Sequence, residues 1–192
     1  MTYVSLGLSL IGLLAAVEGV TSADLQPLDL DGRPVAALPA AGGPTTVFLF
    51  ARTDCPIMNR YAPELRRLHD RFEPKGMRFW LVYPDPGETP EAVRRHAAEF
   101  SYGMAPLRDP RHSLVRLAGA RVTPEAAVFV GDARGPRLVY RGRIDDRHVA
   151  FGNTRPAPTS RDLENVLAAL AERKAVSTRT TTAIGCAIAP LE

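Results

Sequence analysis

With 192 residues, 45% hydrophobic and 23% charged, the chain has the length of one globular domain plus some extra segments, which excludes a large multidomain assembly. Fifteen glycines and 17 prolines point to a loop-rich but compact fold, below the share that marks disordered or collagen-like chains. The net charge is only +3, and basic residues are interleaved with acids, as in Glu64-Leu65-Arg66-Arg67-Leu68-His69-Asp70-Arg71; with no basic block or aromatic-laced basic stripe, this argues against a nucleic-acid partner.

Met1 to Ala23 carries no Lys or Arg and holds an apolar run from Val4 to Val17. With the small residues Thr21 and Ala23 at the positions a signal peptidase reads, residues 1–23 are expected to be a secretory signal, and the product periplasmic or secreted. The run is short for a bilayer span, so membrane attachment is expected only if the segment stays uncleaved. Residues 24–175 are then the domain, and 176–192 a C-terminal tail.

Thr45 to Ala51 is a continuous β-branched and aromatic run, the pattern of a central strand buried on both faces. Pro56 follows, and Ile57, Tyr61, Leu65, Leu68 and Phe72 recur at helical spacing, so a helix starts within a residue or two of Cys55, with Pro56 in its first turn. Gly76 ends that unit, Met77 to Tyr83 is a second strand, and Thr89-Pro90-Glu91-Ala92 opens a helix running to Phe100. A third strand–helix piece covers Pro106 to Asp109 and Ser113 to Leu117. Ala126–Val130 and Leu138–Arg143 read as a hairpin with a longer loop. A last helix runs from Ser160 to Leu170, capped by Ser160 or Thr159, and the irregular Phe151 to Pro156 before it is a candidate groove for a returning tail. The sum is an α/β fold, a mixed sheet flanked by helices, with ligands expected at the C-terminal edge of the parallel strands.

His69, His96 and His112 fall in charged helices or a loop and are expected to be solvated; Asp145-Asp146-Arg147-His148 is either a capped turn or a second polar site. The tail passes through a Thr-rich stretch to Ala183-Ile184-Gly185-Cys186-Ala187-Ile188, an apolar end expected to dock on the domain.

The segment Phe50-Ala51-Arg52-Thr53-Asp54-Cys55-Pro56-Ile57-Met58 resembles the strand-to-helix active-site segment of thioredoxin-like redoxins, the thiol peroxidase and periplasmic thiol-disulfide oxidoreductase group. Leu28 to Pro34, with Asp31-Gly32 at its turn, is similar to the family's N-terminal hairpin. Val122-Thr123-Pro124 resembles its cis-proline segment, and Tyr140-Arg141-Gly142-Arg143 the end of its last hairpin. The resemblance implies a thioredoxin-like fold over Leu25 to Ala171 with Cys55 as nucleophile, Pro124 as the wall facing it, and Thr53 and Arg60 as supporting residues.

The departures are specific. Cys55-Pro56-Ile57-Met58 has no second thiol where the oxidoreductases have Cys-x-x-Cys. Arg52 stands where peroxiredoxins carry a threonine three residues before the cysteine, and Asn59 stands where copper-delivery proteins of this fold carry their second cysteine.

The N–H groups of a first helical turn stabilise a thiolate at Cys55, which makes it reactive, but a lone nucleophilic cysteine needs a second thiol to release what it captures. Cys186 is the one other cysteine in the chain. A redox cycle is therefore expected, with Cys55 attacking a peroxide or a protein or small-molecule disulfide, Cys186 resolving it, and an external thiol restoring both. Two other readings stand beside it. In one, a permanent disulfide closes a loop of about 130 residues, worth roughly 4 to 5 kcal/mol, in a non-catalytic binding module. In the other, Cys55, Met58 and Cys186 form a soft Cu(I) set. No nucleotide, flavin or haem site is visible, and no cofactor is expected.

Overall fold

The computed structural model describes residues 26–191; the segment 1–23 read as an export signal lies outside the described residues. In chain order the elements are β1 (Thr46–Phe50), α1 (Pro56–Phe72), β2 (Arg78–Tyr83), α2 (Pro90–Glu99), β3 (Ala105–Arg108), α3 (Ser113–Ala118), β4 (Val122–Thr123), β5 (Glu125–Asp132), β6 (Gly135–Gly142), β7 (His148–Ala150), β8 (Asn153–Thr154), α4 (Asp162–Ala171) and β9 (Cys186–Ala187). Among the described residues, no helix is long and apolar enough to cross a membrane.

The main sheet has the order β3-β2-β1-β5-β6. β1 pairs in parallel with β2 and antiparallel with β5, so it is central, and all five of its residues are buried. Alternation along it splits the core in two. Val47 and Leu49 pack with Leu65, Leu68 and Phe72 of α1 and with Leu163 and Leu167 of α4. Phe48 and Phe50 face the other way, against Leu114 and Val115 of α3 and Phe129 of β5, and the Phe48 and Phe129 rings meet edge-on at 5.7 Å. The Leu28–Pro34 hairpin forms as expected, with Gly32 in the left-handed region at its turn, and Leu28 bridges Arg108 at the sheet edge.

Two local expectations are corrected. The hairpin strands extend to the pair Asp132↔Gly135, leaving only Ala133 and Arg134 as the turn; the Asp132 side chain accepts the Arg134 N–H at 2.9 Å, and Gly135 takes φ +111, which together permit so tight a turn. α4 has Arg161 at its N-cap with no side-chain cap, because Thr159 and Ser160 donate their N–H groups to the Asp146 carboxylate, at 2.7 and 2.9 Å. The Asp146 carboxyl is held well below its usual range by the Thr159 hydroxyl and these N–H groups, so this aspartate ties the turn after β6 to the start of α4.

The outer faces of α1 and α4 are joined by Glu64, Arg67, Arg71, Arg161 and Glu164, for instance Arg67–Glu64 at 2.7 Å and Arg161–Glu64 at 2.9 Å. These are the interleaved charges of the sequence, and on an exposed face each pair contributes at most about 1 kcal/mol.

Candidate active site

Cys55 sits where β1 hands the chain to α1. It occupies the N-cap in an extended conformation (φ −84, ψ 107), and Pro56 fills the first helical position, whose N–H has no acceptor in any helix. Its carbonyl accepts the Asn59 N–H at 3.1 Å. The side chain turns inward and is 0% exposed, with Sγ 3.0 Å from the carbonyl oxygen of Thr123, to which it donates. The Thr123–Pro124 peptide is cis, as the resemblance implied.

The tail docks against this wall. From α4 it runs along β6, where Arg141 N–H donates to Arg179 O at 3.0 Å and Thr181 N–H to Arg141 O at 3.1 Å. It then pairs antiparallel with β4 in the register Thr123↔Cys186 and Val122↔Ala187, extended by Ile188 N–H to Arg121 O at 2.9 Å. The tail therefore follows β6, and Phe151 to Thr154 stay exposed, which corrects the expectation of a groove there. Glu125, only 4% exposed, shapes the receiving edge by accepting the N–H groups of Arg121 and Val122, at 2.7 and 3.3 Å.

This register puts the two cysteines face to face, 131 residues apart in sequence, with the Cys186 thiol donating to Cys55 Sγ at 2.7 Å. Both are free thiols. A disulfide bond measures about 2.05 Å, so bonding needs a movement of well under 1 Å. Burial, the hydrogen bond to Cys55, the neighbouring Cys55 sulfur and Asp54 push the Cys186 thiol up to about 12, while Arg52 pulls the other way.

The other predicted residues are distributed unevenly. Thr53 lies in the β1–α1 loop, and its N–H donates to Glu88 Oε1 at 2.6 Å. Arg52 pairs with Asp54 at 2.8 Å and reaches Asp85 at 3.6 Å. Arg60 is exposed on α1, and its charge adds to burial in lowering the pKa of the His148 imidazole. Met58 is 0% exposed and packed in the α1-side core.

The histidine expectations are corrected. His96 is 4% exposed because it lies one helical turn from buried Val93; its ring bonds Asn59 Oδ1 and the Tyr83 hydroxyl, each at 2.8 Å, and burial lowers its pKa. His112 is 6% exposed with Nε2 3.0 Å from Pro84 O, and His69 packs edge-on to Phe79 at 5.5 Å. At the Asp145–His148 cluster, Tyr61 donates to Asp145 Oδ1 at 2.5 Å, Arg147 N–H donates to the same oxygen at 2.9 Å, and the His148 ring lies 5.3 Å from that of Tyr61. The cluster is a turn fastened to α1.

Glu88 was not singled out from sequence, since a lone glutamate before a Thr-Pro helix start carries no signal of burial. It is 9% exposed and its Oε2 has no hydrogen-bond partner. Burial pushes its carboxyl above the ordinary 4.5, against the lowering effect of the Thr53 bonds. The folded state thus holds this proton more tightly than the unfolded chain. Stability from this group is expected to fall as pH rises from about 4.5 to the raised folded value and to level off above it. Glu88→Gln keeps an acceptor for Thr53 without the charge. In urea unfolding from pH 4 to 8, the variant's stability relative to wild type is expected to climb with pH and then plateau; a difference that does not vary with pH contradicts this.

Comparison with known proteins follows the same lines. The sequence profile of the AhpC/TSA family matches residues 19–136. A search of curated proteins finds no match. Among solved structures, an uncharacterized conserved protein from Geobacillus kaustophilus is 26% identical, with a TM-score of 0.69 over 87% of this chain and 90% of that one. A hypothetical protein from Sinorhizobium meliloti 1021 is 28% identical, with a TM-score of 0.64 over 79% and 88%. A secreted Mycobacterium tuberculosis disulfide oxidoreductase shares the fold at 20% identity, with a TM-score of 0.51 over 78% and 99%.

Proposed function

The chain belongs to the AhpC/TSA family and has a thioredoxin-like fold, and from that premise we propose that it is an exported thiol-disulfide redox protein whose working pair is Cys55 and Cys186. One observation carries this reading: the β4–β9 register holds the two thiols 2.7 Å apart at the first turn of α1. The absence of a second cysteine in Cys55-Pro56-Ile57-Met58 is thereby made good from the other end of the chain.

With a peroxide, the steps balance as follows. The Cys55 sulfur attacks one peroxide oxygen, the O–O bond breaks, and the alcohol or water leaves, giving Cys55 sulfenic acid. The Cys186 sulfur then attacks that sulfenic sulfur, the S–O bond breaks, and water leaves with the Cys186 proton, forming the disulfide. With a disulfide as oxidant, Cys55 forms a mixed disulfide, and Cys186 displaces the second thiol. Two equivalents of external thiol return both cysteines.

Export is supported by the Val4–Val17 run with Thr21 and Ala23, and by the likeness in fold to a secreted oxidoreductase.

The test is a count of free thiols by mass-tagging after one equivalent of hydrogen peroxide or of a model disulfide. The wild type is expected to lose both thiols per oxidant, and Cys55→Ser neither. The oxidant that acts faster names the substrate class; loss of Cys186 in the Cys55→Ser variant at the wild-type rate overturns the assignment of the nucleophile.

A further inference from the structure

The tail is hydrogen-bonded to the domain along β6 and again at β4, and the two places are built differently. At the inner one, β9 lays two residues on β4, with Ala187 exposed and Ile184 and Ile188 on either side packed half-buried against the two cores. At the outer one, Thr181 is held through both its backbone and its side chain. Its N–H donates to Arg141 O at 3.1 Å, and its hydroxyl accepts the Arg143 N–H at 3.0 Å and lies 2.7 Å from the Tyr140 hydroxyl. Tyr140, 0% exposed, gives its single O–H proton to Arg143 O at 2.6 Å, so the Thr181 hydroxyl is the donor in the pair. Thr181 therefore uses its hydroxyl fully, once as donor and once as acceptor. It also depends on Gly142, at φ +149, where an added Cβ would stand 2.2 Å from Thr181 Oγ1.

We infer that Thr181 is the pivot of the redox cycle, a positioning residue that keeps its grip on β6 while β9 peels from β4, so that Cys186 swings on a five-residue leash. This rests on the reading of Cys55 and Cys186 as an exchanging pair. Some such opening is needed, because Cys55 is fully buried beneath the docked tail. The leash explains how the site opens without losing its second thiol: five residues span at most about 17 Å. Without the pivot, the preceding bond to the domain is Arg141 N–H to Arg179 O at 3.0 Å, which lengthens the leash from five residues to seven. Effective concentration falls roughly as the −3/2 power of tether length, so losing the pivot lowers that of the two thiols about 1.7-fold.

The experiment equilibrates the full-length protein with glutathione. In this exchange the Cys55–Cys186 bond breaks as two glutathione thiols become one glutathione disulfide, and the two protons pass to the protein sulfurs. Thiols are counted by mass-tagging for wild type, Thr181→Val and Thr181→Ser. Thr181→Val is expected to form the disulfide about 1.7-fold less favourably, a potential roughly 7 mV less negative for this two-electron couple, and Thr181→Ser, which retains the hydroxyl, to match wild type. A Thr181→Val value equal to wild type overturns the pivot, as does a Thr181→Ser value that shifts with it. If wild type forms no Cys55–Cys186 disulfide at any glutathione ratio, the underlying reading has failed instead.

A second measurement needs no variant. In the reduced wild type, the Ile188 amide, bonded to Arg121 O, is expected to exchange with deuterium at least about tenfold faster than the Thr181 amide, bonded to Arg141 O. Equal protection of the two amides means that the tail leaves as one piece and contradicts the pivot.

Discussion

Replacing Gly185 by valine is expected to lift β9 off β4 and slow formation of the Cys55–Cys186 disulfide by at least about 10²-fold. The reason is steric: a Cβ at this position would stand 2.3 Å from Thr123 O and 2.7 Å from its carbonyl carbon, both backbone atoms that cannot step aside. Only a residue without a side chain lets the tail approach closely enough to put Cys186 opposite Thr123. With the strand displaced, the thiols meet at the millimolar effective concentration of a flexible tether, no longer at that of an oriented pair. The domain itself should survive. The lost backbone hydrogen bonds are worth about 1 kcal/mol each, and each kcal/mol moves the thermal midpoint of a domain this size by only about 2–4 °C. Unchanged disulfide kinetics in a folded Gly185→Val protein contradict the docked register.

Cys186→Ser carries the second large effect. Cys55 keeps its place at the start of α1, so its oxidation by peroxide should continue, but the sulfenic acid then has no neighbouring thiol to displace its oxygen. Trapping by dimedone is expected to rise from undetectable to nearly stoichiometric. Resolution by about 1 mM external thiol is expected to be at least about 10³-fold slower than the intramolecular step, given the effective molarities that oriented groups reach. Rapid return of Cys55 without Cys186 contradicts the resolving role.

The two ends of the site differed in how readable they were. Cys55 could be located because a five-residue apolar run and then a proline ahead of a helical period announce a strand-to-helix junction, and the structure has that junction with Pro56 as the first residue of α1. The order of elements followed from the same alternation of periods, and the sheet order β3-β2-β1-β5-β6 agrees with it. The tail was legible only as an apolar end that should dock. Its register was not, because β4 and β9 are two residues each, too short for any period, and because the determinant is a steric fit at Gly185. His96 was misjudged for a different reason: residue type suggested solvent, but its place one turn from Val93 put it on the buried side of α2, where Asn59 and Tyr83 satisfy both ring nitrogens. Glu88 and Thr181 are polar residues whose importance lies in partners 35 and 41 positions away, which local patterns do not reveal.

The central claim is that Cys55 and Cys186 form an exchanging couple, and their reduction potential tests it most directly. It is measured by mass-tagging free thiols of the full-length protein across glutathione and dithiothreitol buffers. The account predicts a value between about −270 and −120 mV, the span of the thioredoxin-fold couples that exchange thiols in cells. A value below about −300 mV marks a structural staple and contradicts it, as does a protein in which the bond never forms.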